Sequence, residues 1–92
     1  MAKAIRSAVE KVLKDLHLGK TLLQYKVMEE WGTLVGERIA RVTNPERVID
    51  GKLVVKVRSS AWRNELTFMK SEIIKKINEK LKEEVITDII FK

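Results

Sequence analysis

Arg47-Val48-Ile49-Asp50-Gly51-Lys52-Leu53-Val54-Val55-Lys56-Val57-Arg58 is the stretch on which the fold turns. Two alternating runs flank Asp50-Gly51, a pair suited to a two-residue type I′ turn because both central positions need positive φ. That turn sets Ile49 opposite Lys52 and Val48 opposite Leu53. Side chains alternate with period two along a strand, so Val48, Leu53, Val55 and Val57 share the buried face. Lys52, Val54, Lys56 and Arg58 take the other. Three cations on one sheet face, beside a strand that carries Arg47, form a candidate surface for a polyanion.

Upstream the period is helical. Ile5, Val9, Val12, Leu13 and Leu16 follow helical steps along one face, so residues 3–16 read as an amphipathic helix. Leu18-Gly19 supplies the stop, with Gly19 suited to a left-handed C-terminal cap. A second helix is expected from Thr21 to about Val42, with Leu23, Val27, Trp31, Leu34, Val35 and Ile39 on its stripe. Thr43-Asn44-Pro45 ends it, because the residue before proline avoids the helical region. Gly32 and Gly36 inside this helix suggest close packing of the helix on the sheet.

Downstream, Ser59 or Ser60 caps a long helix. Trp62, Leu66, Met69, Ile73, Ile77 and Leu81 form its unbroken stripe, and Lys82-Glu83-Glu84 closes it. Val85 to Phe91, β-branched and aromatic, reads as a final strand, with Thr87, Ile89 and Phe91 on one face. A strand–helix–strand connection is right-handed, so this strand runs parallel to the second. The expected fold is α+β: two N-terminal helices, a β-hairpin, a long helix and a final strand. The three-stranded mixed sheet is covered by helices on one face, in a single domain over residues 1–92. Val48, Leu53, Val55, Val57, Trp62, Leu66, Ile73 and Ile77 are expected to meet in its core.

Composition narrows the function. The chain has 92 residues, 45% hydrophobic and 35% charged, and no cysteine. That is a globular balance with no disulfide or thiolate metal site. Charges interrupt the apolar residues at the N-terminus, so no signal peptide is expected and the cytoplasm is the expected location. The net charge is +6, and it is segregated. Residues 1–26 hold six cations against two acids, and residues 47–76 hold eight against three, whereas Val27–Glu46 is slightly acidic. A basic balance favours polyanions or acidic protein surfaces as partners.

Catalytic chemistry is missing. His17 is the sole histidine and sits near a helix end, where capping or a surface role suits it. Glu29-Glu30 and Glu83-Glu84 are adjacent pairs, which a helix splays apart instead of converging on an ion. No phosphate-binding glycine loop occurs. Trp31 and Trp62 lie on apolar stripes and read as core, although Trp62-Arg63 superficially suits a base-stacking platform. No enzyme, cofactor or metal is expected.

An ordered series of spaced motifs carries a resemblance. Trp31 is followed by Val35-Gly36, Ile39-Ala40, Thr43, Pro45 and Asp50-Gly51. Leu53, Val55, Val57, Ser59-Ser60, Trp62, Glu65-Leu66 and Ile77-Asn78 complete it, preceded by the Leu16-His17-Leu18-Gly19 join. Over about residues 10–91 the chain resembles the DciA family of bacterial replicative-helicase loaders and operators. The resemblance implies a fold similar to a type II KH domain, DNA binding, and contact with a DnaB-type hexameric helicase without ATPase activity. The chain lacks the GxxG loop by which ordinary KH domains clamp a nucleic-acid backbone. It also ends one residue after Phe91, where many family members continue into a flexible tail that helicase contact could require.

The expected function is therefore a non-enzymatic DNA-binding module, with single-stranded DNA the preferred ligand, associated with loading or operation of the replicative helicase. The alternatives are a protein-assembly domain that binds no nucleic acid, and an RNA-binding KH-like module. Arg47, Lys52, Lys56, Arg58, Arg63 and Lys70 are the candidate nucleic-acid-binding residues. Arg63 falls at the start of the long helix, off the Trp62 stripe.

Overall fold

The computed structural model describes residues 2–15 and 19–92. In chain order the elements are α1 (Ala2–Asp15), α2 (Gly19–Val35), the short α3 (Glu37–Ala40), β1 (Thr43–Ile49), β2 (Lys52–Val57), α4 (Ser60–Leu81) and β3 (Asp88–Phe91). The strands form one mixed sheet in the order β1-β2-β3, antiparallel between β1 and β2 and parallel between β2 and β3. This is the expected α+β layout.

The hairpin has the register its turn dictates. Ile49 pairs with Lys52 and Val48 with Leu53, and Asp50 and Gly51 take φ of 50° and 78°. Gly51 has a second duty: its carbonyl accepts the Thr87 N–H at 2.8 Å. A Cβ on Gly51 would stand 3.1 Å from Thr87 Oγ1, so the bare turn lets the chain entering β3 dock against it.

Leu53, Val55 and Val57 of β2 point into the core with Ile89 of β3, Leu66, Ile73 and Ile77 of α4, and Val27 and Trp31 of α2. Of the eight residues expected to meet there, Val48 and Trp62 are only half-buried, flanking the cluster instead of lying within it. Ser59 caps α4 by accepting the Trp62 N–H at 3.1 Å, and Lys82 ends it in the left-handed region at φ 56°.

Several boundaries differ from the sequence reading. The second helix stops at Val35 because Gly36 adopts φ 90°, a conformation costly for any residue with a Cβ. Gly36 is thus a hinge into α3, and the neighbour a Cβ on Gly32 would meet is Ala40, not the sheet. Thr43-Asn44-Pro45 opens β1 instead of ending a helix. Proline is tolerated because β1 is an edge strand, and the register slips by one residue between Pro45 and Arg47, leaving Glu46 as a bulge. Gly19 begins α2 and is not a left-handed cap on α1. Leu16, His17 and Leu18 lie outside the described residues.

The final strand is shorter than Val85–Phe91. Before Asp88 the backbone is held by a side chain: Asn78 Oδ1 accepts from the N–H groups of Val85 and Ile86 at 3.0 Å each, and its amide donates to the Ile86 carbonyl at 2.9 Å. Val85 and Ile86 are buried there as loop, not strand. The stripe of α1 also departs from expectation, since Ile5, Val9 and Val12 are exposed. Glu10, on another side of α1, meets Lys26 of α2 at 3.4 Å.

Candidate nucleic-acid interface

Residues paired across a sheet share a face, so the register assigns the side opposite the core. Asn44, Arg47 and Ile49 come from β1, Lys52, Val54 and Lys56 from β2, and Asp88 and Ile90 from β3. Among the described residues no helix covers this side: Arg47, Lys52, Lys56, Ile49 and Ile90 are all exposed. Val54 is the exception at 5% exposure. It occupies the middle of the central strand between Arg47 and Ile90, where neighbouring side chains shield it.

The six residues singled out from the sequence are divided by the fold. Arg47, Lys52 and Lys56 stand together on the open face. Arg58 is exposed one residue beyond β2, where its N–H still bonds the Val42 carbonyl at 2.9 Å. Arg63 sits in the first turns of α4, half-buried, and its Nε is buried with no hydrogen-bond partner among the described residues. Lys70 lies farther along α4 and is engaged by Asp88, with Nζ 3.3 Å from the carboxylate. The six do not form one cluster.

Two acidic groups temper the face. Glu46, displaced by its bulge, meets Lys92 at 2.6 Å. The hydrogen bond from Lys92 holds its carboxyl below the usual glutamate range, helped by the charges of Lys92, Lys56 and Arg47. Asp88 is likewise lowered, first by the backbone N–H of Ile89 at 2.8 Å and then by Lys70. Both carboxylates are thus committed to partners, whereas Arg47, Lys52 and Lys56 make no ion pair among the described residues.

Sequence reasoning missed Lys92 and Arg38. Period two through Asp88 and Ile90 carries Lys92 to the open face, so that signal was present. Arg38 was hidden in a stretch read as slightly acidic and as the body of one helix. In the structure its guanidinium carbon lies 5.5 Å from the centroid of the Trp62 ring. The two side chains line a groove of about 580 Å3 floored by Val35, Ile39 and Met69. Trp31, by contrast, is core: it is 2% exposed, and its indole N–H donates to Thr43 Oγ1 at 2.8 Å. Among the described residues no group of His, Asp and Glu could hold a metal, and no helix is long and apolar enough to cross a membrane.

A helix-backed mixed sheet with a basic open face defines the class, an α+β protein with a candidate polyanion surface. Residues 4–91 match the family described as "Dna[CI] antecedent, DciA". The chain belongs to the DciA family. It is 32% identical over 88 residues to a UPF0232 protein of Corynebacterium glutamicum, covering 96% of this chain and 49% of that one. A UPF0232 protein of Rhodococcus jostii is 41% identical over 51 residues, which are 55% of this chain and 27% of the relative. One from Mycobacterium tuberculosis is 35% identical over 51 residues, with the same coverage. The chain thus spans about half the length of the first of these relatives.

Proposed function

We propose that this chain is a non-enzymatic DNA-binding module that works with the DnaB-type hexameric helicase during its loading or operation. Family membership supports a general link to replicative-helicase loading. The observation that carries DNA binding is the open sheet face, where Arg47, Lys52 and Lys56 stand exposed while Glu46 and Asp88 are committed to other partners. Such a face suits phosphates, whose neutralisation releases counterions and drives sequence-independent binding. The kinship to type II KH domains belongs to the same proposal. It is supported by the hairpin–helix–strand order and the parallel β2–β3 pair, with the sheet face replacing a GxxG clamp.

The test has two arms. Fluorescence anisotropy of a labelled oligothymidylate should report binding that weakens with salt, and competition by RNA of equal length separates DNA from RNA preference. Co-purification with the replicative helicase of the same organism should give a complex without added ATP. No oligonucleotide binding at low salt would reject the DNA arm, and no complex at tens of micromolar would reject the helicase arm. ATP hydrolysis by the pure protein would reject the non-enzymatic assignment.

A further inference from the structure

We propose that Trp62, with the Arg38 guanidinium beside it, is a stacking subsite for one base of a single-stranded polynucleotide, at the end of the cation track along β2. This rests on the DNA-binding reading above and adds a place where the strand is gripped by a base as well as by its phosphates.

Trp62 was expected in the core, and its position is different. The Ser59 cap holds its backbone N–H and fixes it in the first turn of α4. One side of the indole packs against the core cluster, yet the residue is only half-buried. Its ring borders two grooves, the one floored by Val35, Ile39 and Met69 and another of about 560 Å3 bounded by Arg41 and Val42. Arg38 borders both and makes no ion pair among the described residues.

An indole with an exposed guanidinium over its ring and an apolar floor nearby is the combination that holds an unpaired base. The ring and the guanidinium plane offer flat surfaces for stacking, and every base has a π-face to meet them. The exposed cations along β2 and just past it that lead to the groove, Lys52, Lys56 and Arg58, favour a polyanion as the occupant, since charge within the groove is balanced. Arg41 is held by Glu37 at 2.7 Å, which leaves Arg38 against Glu65 within the groove. Beyond it, the Arg58 N–H on the Val42 carbonyl joins the groove to the end of β2 and so to Lys56 and Lys52. The first turn of α4 carries no acidic residue, so its N-terminal partial positive charge is not neutralised locally. A strand crossing the open face therefore meets Lys52 and Lys56, with Asp88 and Glu46 held by Lys70 and Lys92, before it turns at Arg58 toward Trp62.

The test uses the whole chain and a labelled oligothymidylate, with anisotropy and tryptophan emission read in one titration. Trp31 is buried, so Trp62 is the tryptophan positioned to respond. Emission should be quenched in step with saturation. Trp62→Leu should weaken binding by roughly 5- to 150-fold, the range for loss of one stacked base, while leaving the salt slope unchanged. Trp62→Tyr should recover most of the loss, and Arg38→Ala, at an exposed position, should weaken binding in a protein that keeps its fold. Binding with unchanged emission and no effect of these variants would overturn the subsite while leaving the DNA-binding reading intact. No binding by the wild-type chain at low salt would overturn both. An emission change with the helicase and none with the oligonucleotide would make the groove a protein-docking surface and overturn the proposal.

Discussion

Glu46 and Lys92 bridge the open face of the sheet: the carboxylate from the β1 bulge meets the ammonium just past β3 at 2.6 Å, with β2 between their strands. The bridge ties up one cation and places a negative charge near Lys56 and Arg47, which are among the causes of its lowered pKa. A phosphate on this face is repelled by Glu46 and denied Lys92.

Glu46→Gln should therefore strengthen oligonucleotide binding and steepen the log–log salt slope by a little under one unit, as one more cation becomes available. Acid should act in the same direction. The folded carboxyl titrates below the ordinary glutamate value of 4.5, so the bridge is intact above that pH and is lost only as pH falls through the lower folded value. The small stability it contributes follows the same window and disappears on acidification. Anisotropy at several salt concentrations checks the variant, and equal or weaker binding would show that Glu46 does not oppose the ligand.

Asn78 carries a structural prediction. Its amide makes three hydrogen bonds that stand in for the sheet ladder missing before β3. Asn78→Leu removes them all and leaves the Ile86 N–H and carbonyl without these partners beside buried side chains, while the Val85 N–H keeps the Glu83 carbonyl at 3.0 Å. The loss should be about 2–4 kcal/mol, or a fall in Tm of order 10 °C or more for a domain of this size. Asn78→Asp, which keeps the acceptor for the two N–H groups and loses the donor, should fall between. A thermal melt that places the leucine variant within two degrees of wild type would contradict this role.

Thr43 is held from two sides, accepting from the Trp31 indole and donating to the Ile39 carbonyl at 2.7 Å. Thr43→Val keeps the shape and removes both bonds. We expect a cost of about 1–3 kcal/mol from the unpaired indole N–H, together with a red-shifted Trp31 emission if water enters to replace the hydroxyl. Unchanged stability in urea would refute the linkage.

Asp50-Gly51 and Asn78 show where the sequence was legible and where it was not. Asp50-Gly51 fixed the register next to the turn because local turn chemistry and apolar alternation agreed, whereas the bulge at Glu46 lies beyond their reach. The stripe of α4 was legible for the same reason. The interruption at Gly36 was not, because the apolar period runs across it and only the backbone angle reveals the hinge. Nor was the end of β3, since Val85 and Ile86 have strand composition but are held by Asn78, whose role depends on a contact eight residues away. On the candidate interface, alternation found Lys52, Lys56 and Arg47. Strand order, which the hairpin alone does not give, decided that Lys70 faces Asp88 around the edge of the sheet. Arg38 and Trp62 come together only through the fold.

The fold treats the six candidate cations differently. Arg47, Lys52, Lys56 and Arg58 are exposed and make no ion pair among the described residues, so about four phosphates can be neutralised. The salt slope on single strands should then be roughly −0.7 × 4, or about −3, and a fourfold rise in salt should weaken binding roughly fiftyfold. Replacing any one of the four by alanine should flatten the slope by a little under one unit, about equally for all sequences. Lys70→Ala should leave the slope nearly unchanged, because the Lys70 charge is already balanced by Asp88 at 3.3 Å. Arg63→Ala should lower stability more than it changes the slope, because the side chain is half-buried and its Nε is enclosed. A solvated face with no ligand gives the opposite pattern: no binding at moderate salt and no distinction among the six variants. If the quadruple alanine variant stays folded and binds as tightly as wild type, the sheet face is not the phosphate track. The contact would then have to be sought among Lys3, Arg6, Lys11, Lys14 and Lys20 of the basic N-terminal segment.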